Sequence, residues 1–181
     1  MSKKKFPKPV NPWLNGVVIF GSLLVYSLLL LVRTPGMTIL GFSPQWLLMW
    51  LVAWSIKRNV SIAVLVAIAV GFLHDSLMVS PVPSHIPGFV IVAWLTASWR
   101  QQRYLQEDFI SLALIVFIMT LVAETVMAFQ HLLFGLQSFE NIWLDYQQIA
   151  LASAVLSSLW APLACTPLVR WWDQVRAFDR Q

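Results

Sequence analysis

Long apolar runs separated by short polar breaks set the pattern of this chain. Residues 13–32 form the first run, long enough for a helix to cross a hydrocarbon core of about 30 Å. Positive charge precedes it, as in a signal peptide. The run exceeds a usual h-region and no A-x-A-like cleavage site follows, so it predicts a first spanning helix. Arg33-Thr34-Pro35-Gly36 makes a turn, and a second run covers 37–56. Pro44 within it either starts the helix or kinks it. A start at Pro44 leaves about 13 residues, roughly 20 Å, which is short for a bilayer. Lys57-Arg58-Asn59 breaks the chain before a third helix over 60–78. The Pro-rich run Ser80-Pro81-Val82-Pro83-Ser84-His85-Ile86-Pro87-Gly88 then turns it sharply. A short fourth helix over 86–99 follows, then a long fifth over 109–134, a loop over 135–145, and a sixth helix over 146–169 whose last turns Pro162 and Pro167 should bend. The pattern predicts an all-α polytopic membrane protein with six transmembrane helices. A basic tail (1–12) precedes the transmembrane domain (13–169), and a C-terminal tail (170–181) follows it.

Composition strengthens this reading. The chain is 59% hydrophobic and 11% charged, whereas soluble domains carry about 25% charged residues. Charge then orients the helices. With six crossings, all 12 basic residues except Arg33 fall in the N-terminal tail, at Lys57-Arg58, at Arg100 and Arg103, or after residue 169. These segments share one side, so the positive-inside rule predicts both termini in the cytoplasm. The net charge of +4 is therefore topological. Without a basic stripe or an aromatic RNA-binding signature it does not point to nucleic acid. Glu107 and Asp108 suit the positive start of the fifth helix. The single cysteine, Cys165, excludes an intrachain disulfide and reads as a packed core residue.

Helix faces bring in the candidate chemistry. Trp46, Trp50 and Trp54 share one face, as lipid-facing or packing bulk or as a docking stripe for another helix. Ala63, Ala67, Gly71 and Asp75 recur every four residues, so Asp75 continues a close-packing seam. An ionisable side chain at membrane depth asks for a reason. His74 projects about 100° from Asp75 and makes no ready dyad with it. Glu124 and His131 lie seven apart on the fifth helix, with Thr120 and Ala128 flanking Glu124. Ala150, Ser153, Ser157, Ala161 and Ala164 form a second small-residue stripe. Asp75 and Glu124 each sit fifteen residues into their helices, roughly 22 Å along. They are placed to line one polar pocket, with His74, His85 and His131 as possible partners. The alternatives are polar glue across a helix seam and contact with a partner protein.

Enzyme signatures are absent: the sequence has no H-E-x-x-H, no G-x-S-x-G, no P-loop and no metal-binding cysteine cluster. No cofactor or metal ligand is assigned. The basic N-terminus, six apolar helices and the G-x-x-x-D motif at Gly71–Asp75 late in the third helix together resemble the MreD family of bacterial rod shape-determining proteins. The turn here is richer in proline than the family's commoner Gly-rich version. The resemblance implies a non-enzymatic component of the cell-elongation machinery in the inner membrane. It would bind MreC through that protein's membrane helix and nearby regions, and through it MreB and the peptidoglycan synthase–transpeptidase pair. The candidate packing or recognition residues are Gly71, His74, Asp75, Glu124, His131, Trp46, Trp50 and Trp54. The family's fold is similar to the S-components of energy-coupling-factor transporters, which supplies an alternative: a vitamin-type binding subunit. That reading requires an outward cavity with several convergent polar groups.

Overall fold

The structure, a computed structural model, describes residues 12–32, 43–56, 58–78, 84–99, 109–135 and 139–179. The basic tail before Pro12, the turn at 33–36, the start of the second apolar run, Lys57, the prolines at 81 and 83, and the 100–108 loop lie outside the described residues. Six helices follow one another: α1 (Pro12–Leu31), α2 (Trp46–Ser55), α3 (Val60–Met78), α4 (Ile86–Trp99), α5 (Phe109–Leu133) and α6 (Phe139–Asp179). Among the described residues there is no strand.

Four of the six helices, α1, α3, α5 and α6, are long and apolar enough to cross a membrane. Helices α2 and α4 are not: at 10 and 14 residues they reach about 15 and 21 Å, short of a core of about 30 Å. The short second and fourth helices agree with the start after Pro44 and the short 86–99 run read from the sequence, and four of the six helices have full crossing length. The last boundary moves. Helix α6 starts at Phe139, inside the expected loop, and continues beyond Val169 to Asp179, carrying Pro162 and Pro167 within it.

The short α2 is the centre of the molecule. It touches every other helix, and all of its residues are buried. Trp50 lies against Trp54 and Trp172, while Trp46 lies against Tyr26 and Trp160. The tryptophan stripe therefore packs within the chain and faces neither lipid nor a docking partner, because α1, α4, α5 and α6 leave α2 no free side. Polar groups fasten this core. Trp50 Nε1–H donates to Ser22 Oγ on α1 at 2.9 Å, and Tyr26 O–H donates to the Ala164 carbonyl on α6 at 2.7 Å. Cys165 is buried against α2, as its apolar setting predicted.

Two seams join the remaining helices, α3 with α4 and α5 with α6. The α6 stripe is buried at Ala150, Ser153, Ser157 and Ala161. Helix α3 buries Ala63, Ala67, Val70, Gly71 and His74. At Gly71 the approach is closest: a Cβ there would stand 2.8 Å from the Ile86 Cα. At Gly88 it would stand 3.3 Å from the Ala123 carbonyl oxygen of α5. Gly71→Ala should therefore push backbone against backbone and cost about 1–3 kcal/mol. Gly16→Ala and Gly21→Ala, where nothing lies within 4 Å, should not lower stability. Thermal unfolding of the detergent-purified variants compares the three.

Candidate functional site

The G-x-x-x-D segment ends α3 where the chain turns back into α4, and the turn is built around Asp75. Helix α4 begins with a backbone bond from Phe89 N–H to the His85 carbonyl at 3.0 Å, so His85 is its N-cap and its first N–H groups need partners. Asp75 supplies one from the neighbouring helix. Its carboxylate accepts the His85 backbone N–H at 3.0 and 3.1 Å, the Ser84 hydroxyl at 2.6 Å, and the His85 ring at Nδ1 at 2.7 Å. Ser84 Oγ in turn accepts the Ile86 N–H at 3.1 Å. A carboxylate at this end also suits the positive pole of α4. From α5, Gln130 Nε2–H donates to the Ser84 carbonyl at 3.0 Å. Three helices thus meet at one turn.

The imidazoles complete the cluster. His74 is 6% exposed, and its ring lies 4.0 Å from that of His85 and 5.5 Å from Phe89. His74 Nδ1 is 3.9 Å from Asp75 Oδ1, beyond hydrogen-bonding distance, and has no hydrogen-bond partner among the described residues. Burial lowers the pKa of His85, in the turn outside the helices; the hydrogen bond and charge of Asp75 oppose it. A neutral ring with its proton on Nδ1 satisfies that hydrogen bond.

Glu124 belongs to a different network. Its Oε1 accepts Gln45 Nε2–H, and the Gln45 backbone N–H donates to Ser157 Oγ at 3.0 Å. Gln45 is the residue before α2, so α5 and α6 close the start of the central helix. The two carboxylates expected to line one pocket therefore serve different helix starts with different partners. His131 Nδ1 is satisfied by the Met127 carbonyl of its own helix at 2.9 Å and does not join Glu124. Gly71 lies one turn before Asp75 and sets the distance of α3 from Ile86.

Ser84 is the residue that the sequence reading missed, while His85, named there as a possible partner of the carboxylates, is the imidazole that Asp75 holds. The available signal for Ser84 was its place just before a helix start, where Ser is a favoured cap and Pro87 belongs in the first turn. No metal ligand was assigned from sequence, yet the fold gathers His74, Asp75 and His85 so that one ligand atom from each lies within 4.8 Å of the others.

The family model for rod shape-determining protein MreD matches residues 8–165. The chain belongs to this family. The match includes the whole Asp75 turn, and family membership assigns the chain to rod shape determination. With four span-length helices it is a multi-pass membrane protein. Searches of curated proteins and of solved structures returned no match.

The hydrogen bonds to Asp75 should act as a unit. Asp75→Ala is expected to destabilise by about 1.5–3 kcal/mol, the range for hydrogen bonds to a charged group. Adding Ser84→Ala should cost less than the sum of the two single changes. Unfolding in detergent across the double-mutant cycle checks this, and additive costs would mean that Ser84 stabilises the turn independently of Asp75.

Proposed function

We propose that the chain is a non-enzymatic scaffold of the cell-elongation complex in the inner membrane. Both termini are cytoplasmic, and the chain docks the single membrane helix of MreC. Through MreC it is linked to MreB and to the peptidoglycan synthase–transpeptidase pair. Family membership supports the setting, and the basic-residue asymmetry supports the orientation.

The observation that carries the docking reading is the outer face of α1. This helix packs mainly against α2, and its inner side also reaches α6 through Tyr26. Trp13, Val17, Phe20 and Leu24 recur along its far side, all exposed by half or more. With Gly16 and Gly21 they line an apolar groove of about 670 Å³. Both glycines leave open space where a side chain would stand. Small residues beside large aromatics let a second helix approach closely, the usual basis of helix association in lipid. The polar groups at Asp75 and Glu124 are instead taken up by partners within the chain, which supports a packing role for both.

Gly21→Leu is expected to leave thermal stability unchanged and to reduce recovery of MreC with the tagged chain several-fold. Asp75→Asn should retain MreC per molecule of folded chain. Equal MreC recovery from Gly21→Leu and from the unaltered chain would place the interface elsewhere. The vitamin-type alternative is tested on the same preparation. A small molecule carried at stoichiometric level in native mass spectrometry would replace the scaffold reading.

A further inference from the structure

The last turns of α3 and the residue before α4 hold two imidazoles and a carboxylate at closer quarters than the helix cap needs. Asp75 caps α4 with Ser84 and the His85 N–H alone. His74 is not required for that. A purely apolar packing role would be served by an apolar side chain, and a buried ring nitrogen without a partner is costly. His74 Nδ1 is such a nitrogen, on a side chain 7% exposed and 3.9 Å from Asp75 Oδ1.

We propose that His74, Asp75 and His85 form a binding site for a divalent transition-metal ion of the Zn²⁺ class. Imidazole and carboxylate donors are the ligand set that Zn²⁺ accepts, with three protein ligands and an open fourth position as a common arrangement. Bonds of about 2.0–2.1 Å in a tetrahedron place neighbouring donors about 3.3–3.4 Å apart. The observed separations bracket that value. His74 Nδ1 stands 3.9 Å from Asp75 Oδ1, and His85 Nδ1 stands 2.7 Å from it. The third separation, between the two rings, lies within 4.8 Å, so ring movements on the order of an ångström bring all three donors onto one ion.

The second layer is already in place. Metal at Oδ1 leaves Asp75 Oδ2 holding the Ser84 hydroxyl and the His85 N–H, an outer-shell arrangement that orients a ligating carboxylate. His85 moves its proton from Nδ1 to Nε2 when Nδ1 takes the ion, so the neutral ring loses no proton. The ion would tie the last turn of α3 to the first residue before α4 and add to the hold that the Asp75 hydrogen bonds and the Gly71–Ile86 approach already give. This site is independent of the docking face on α1.

The test uses the full chain purified in detergent without a polyhistidine tag, stripped with chelator and titrated with Zn²⁺ and with Co²⁺. One equivalent of Zn²⁺ per chain is expected, with a rise in unfolding temperature, and Co²⁺ should give visible d–d bands. His74→Ala and His85→Ala should abolish stoichiometric binding, Ser84→Ala should weaken it about 10–100-fold, and His131→Ala should keep it. Sub-stoichiometric Zn²⁺ on the unaltered chain, or binding that survives both His74→Ala and His85→Ala, overturns the proposal. Should the histidine variants fail to fold, the Co²⁺ spectrum of the unaltered chain decides: without d–d bands from mixed nitrogen and oxygen ligands, the site is only a helix cap.

Discussion

Helix α2 is too short to cross a bilayer core of about 30 Å, and hydrocarbon offers nothing to the unpaired backbone groups of a helix end that stops within it. A helix of 10 residues can exist there only if protein surrounds it. The other five helices do so, and the start of α2 is closed by Ser157 from α6 while Glu124 from α5 takes the Gln45 amide. Much of the rest follows. The tryptophans of α2 become the core, α1 and α6 are held to it through Ser22, Tyr26 and Trp172, and the apolar surface of α1 is left facing outward.

The second short helix, α4, meets the same constraint by a different device. Its start is covered by a carboxylate from the neighbouring α3, delivered by the close approach at Gly71. Both carboxylates thus anchor the residue before a short helix, Asp75 through the His85 backbone N–H and Glu124 through the Gln45 side-chain amide. That is why Asp75 and Glu124 do not need each other, although each sits fifteen residues into its helix.

Much of the fold is legible from residue order. The ends of α3 and α4, the burial of Ala63, Ala67 and Gly71, the small-residue stripe of α6 and the packed Cys165 all follow from periodicity and residue size. The four-residue repeat misleads at Asp75. On a helix of 3.6 residues per turn each step of four advances about 40°, so three steps from Ala63 carry Asp75 about 120° round, while His74 returns to within about 20°. The side chain at the seam's centre is accordingly His74, and Asp75 lies at its edge where it reaches the turn. The tryptophan stripe shows the opposite limit. Its spacing defines one face but says nothing of what covers that face.

Sequence alone determined the helical class, the membrane setting and the family, because apolar run length, charge placement and the Gly71–Asp75 spacing are local properties of the chain. Only the tertiary structure decided that α2 is the buried centre, that Ser84 and His85 hold Asp75, and that Gln45 holds Glu124. Those pairings join residues far apart along the chain or across a sharp turn. They depend on how closely helices approach, and that distance is set jointly by glycines on one helix and bulk on another.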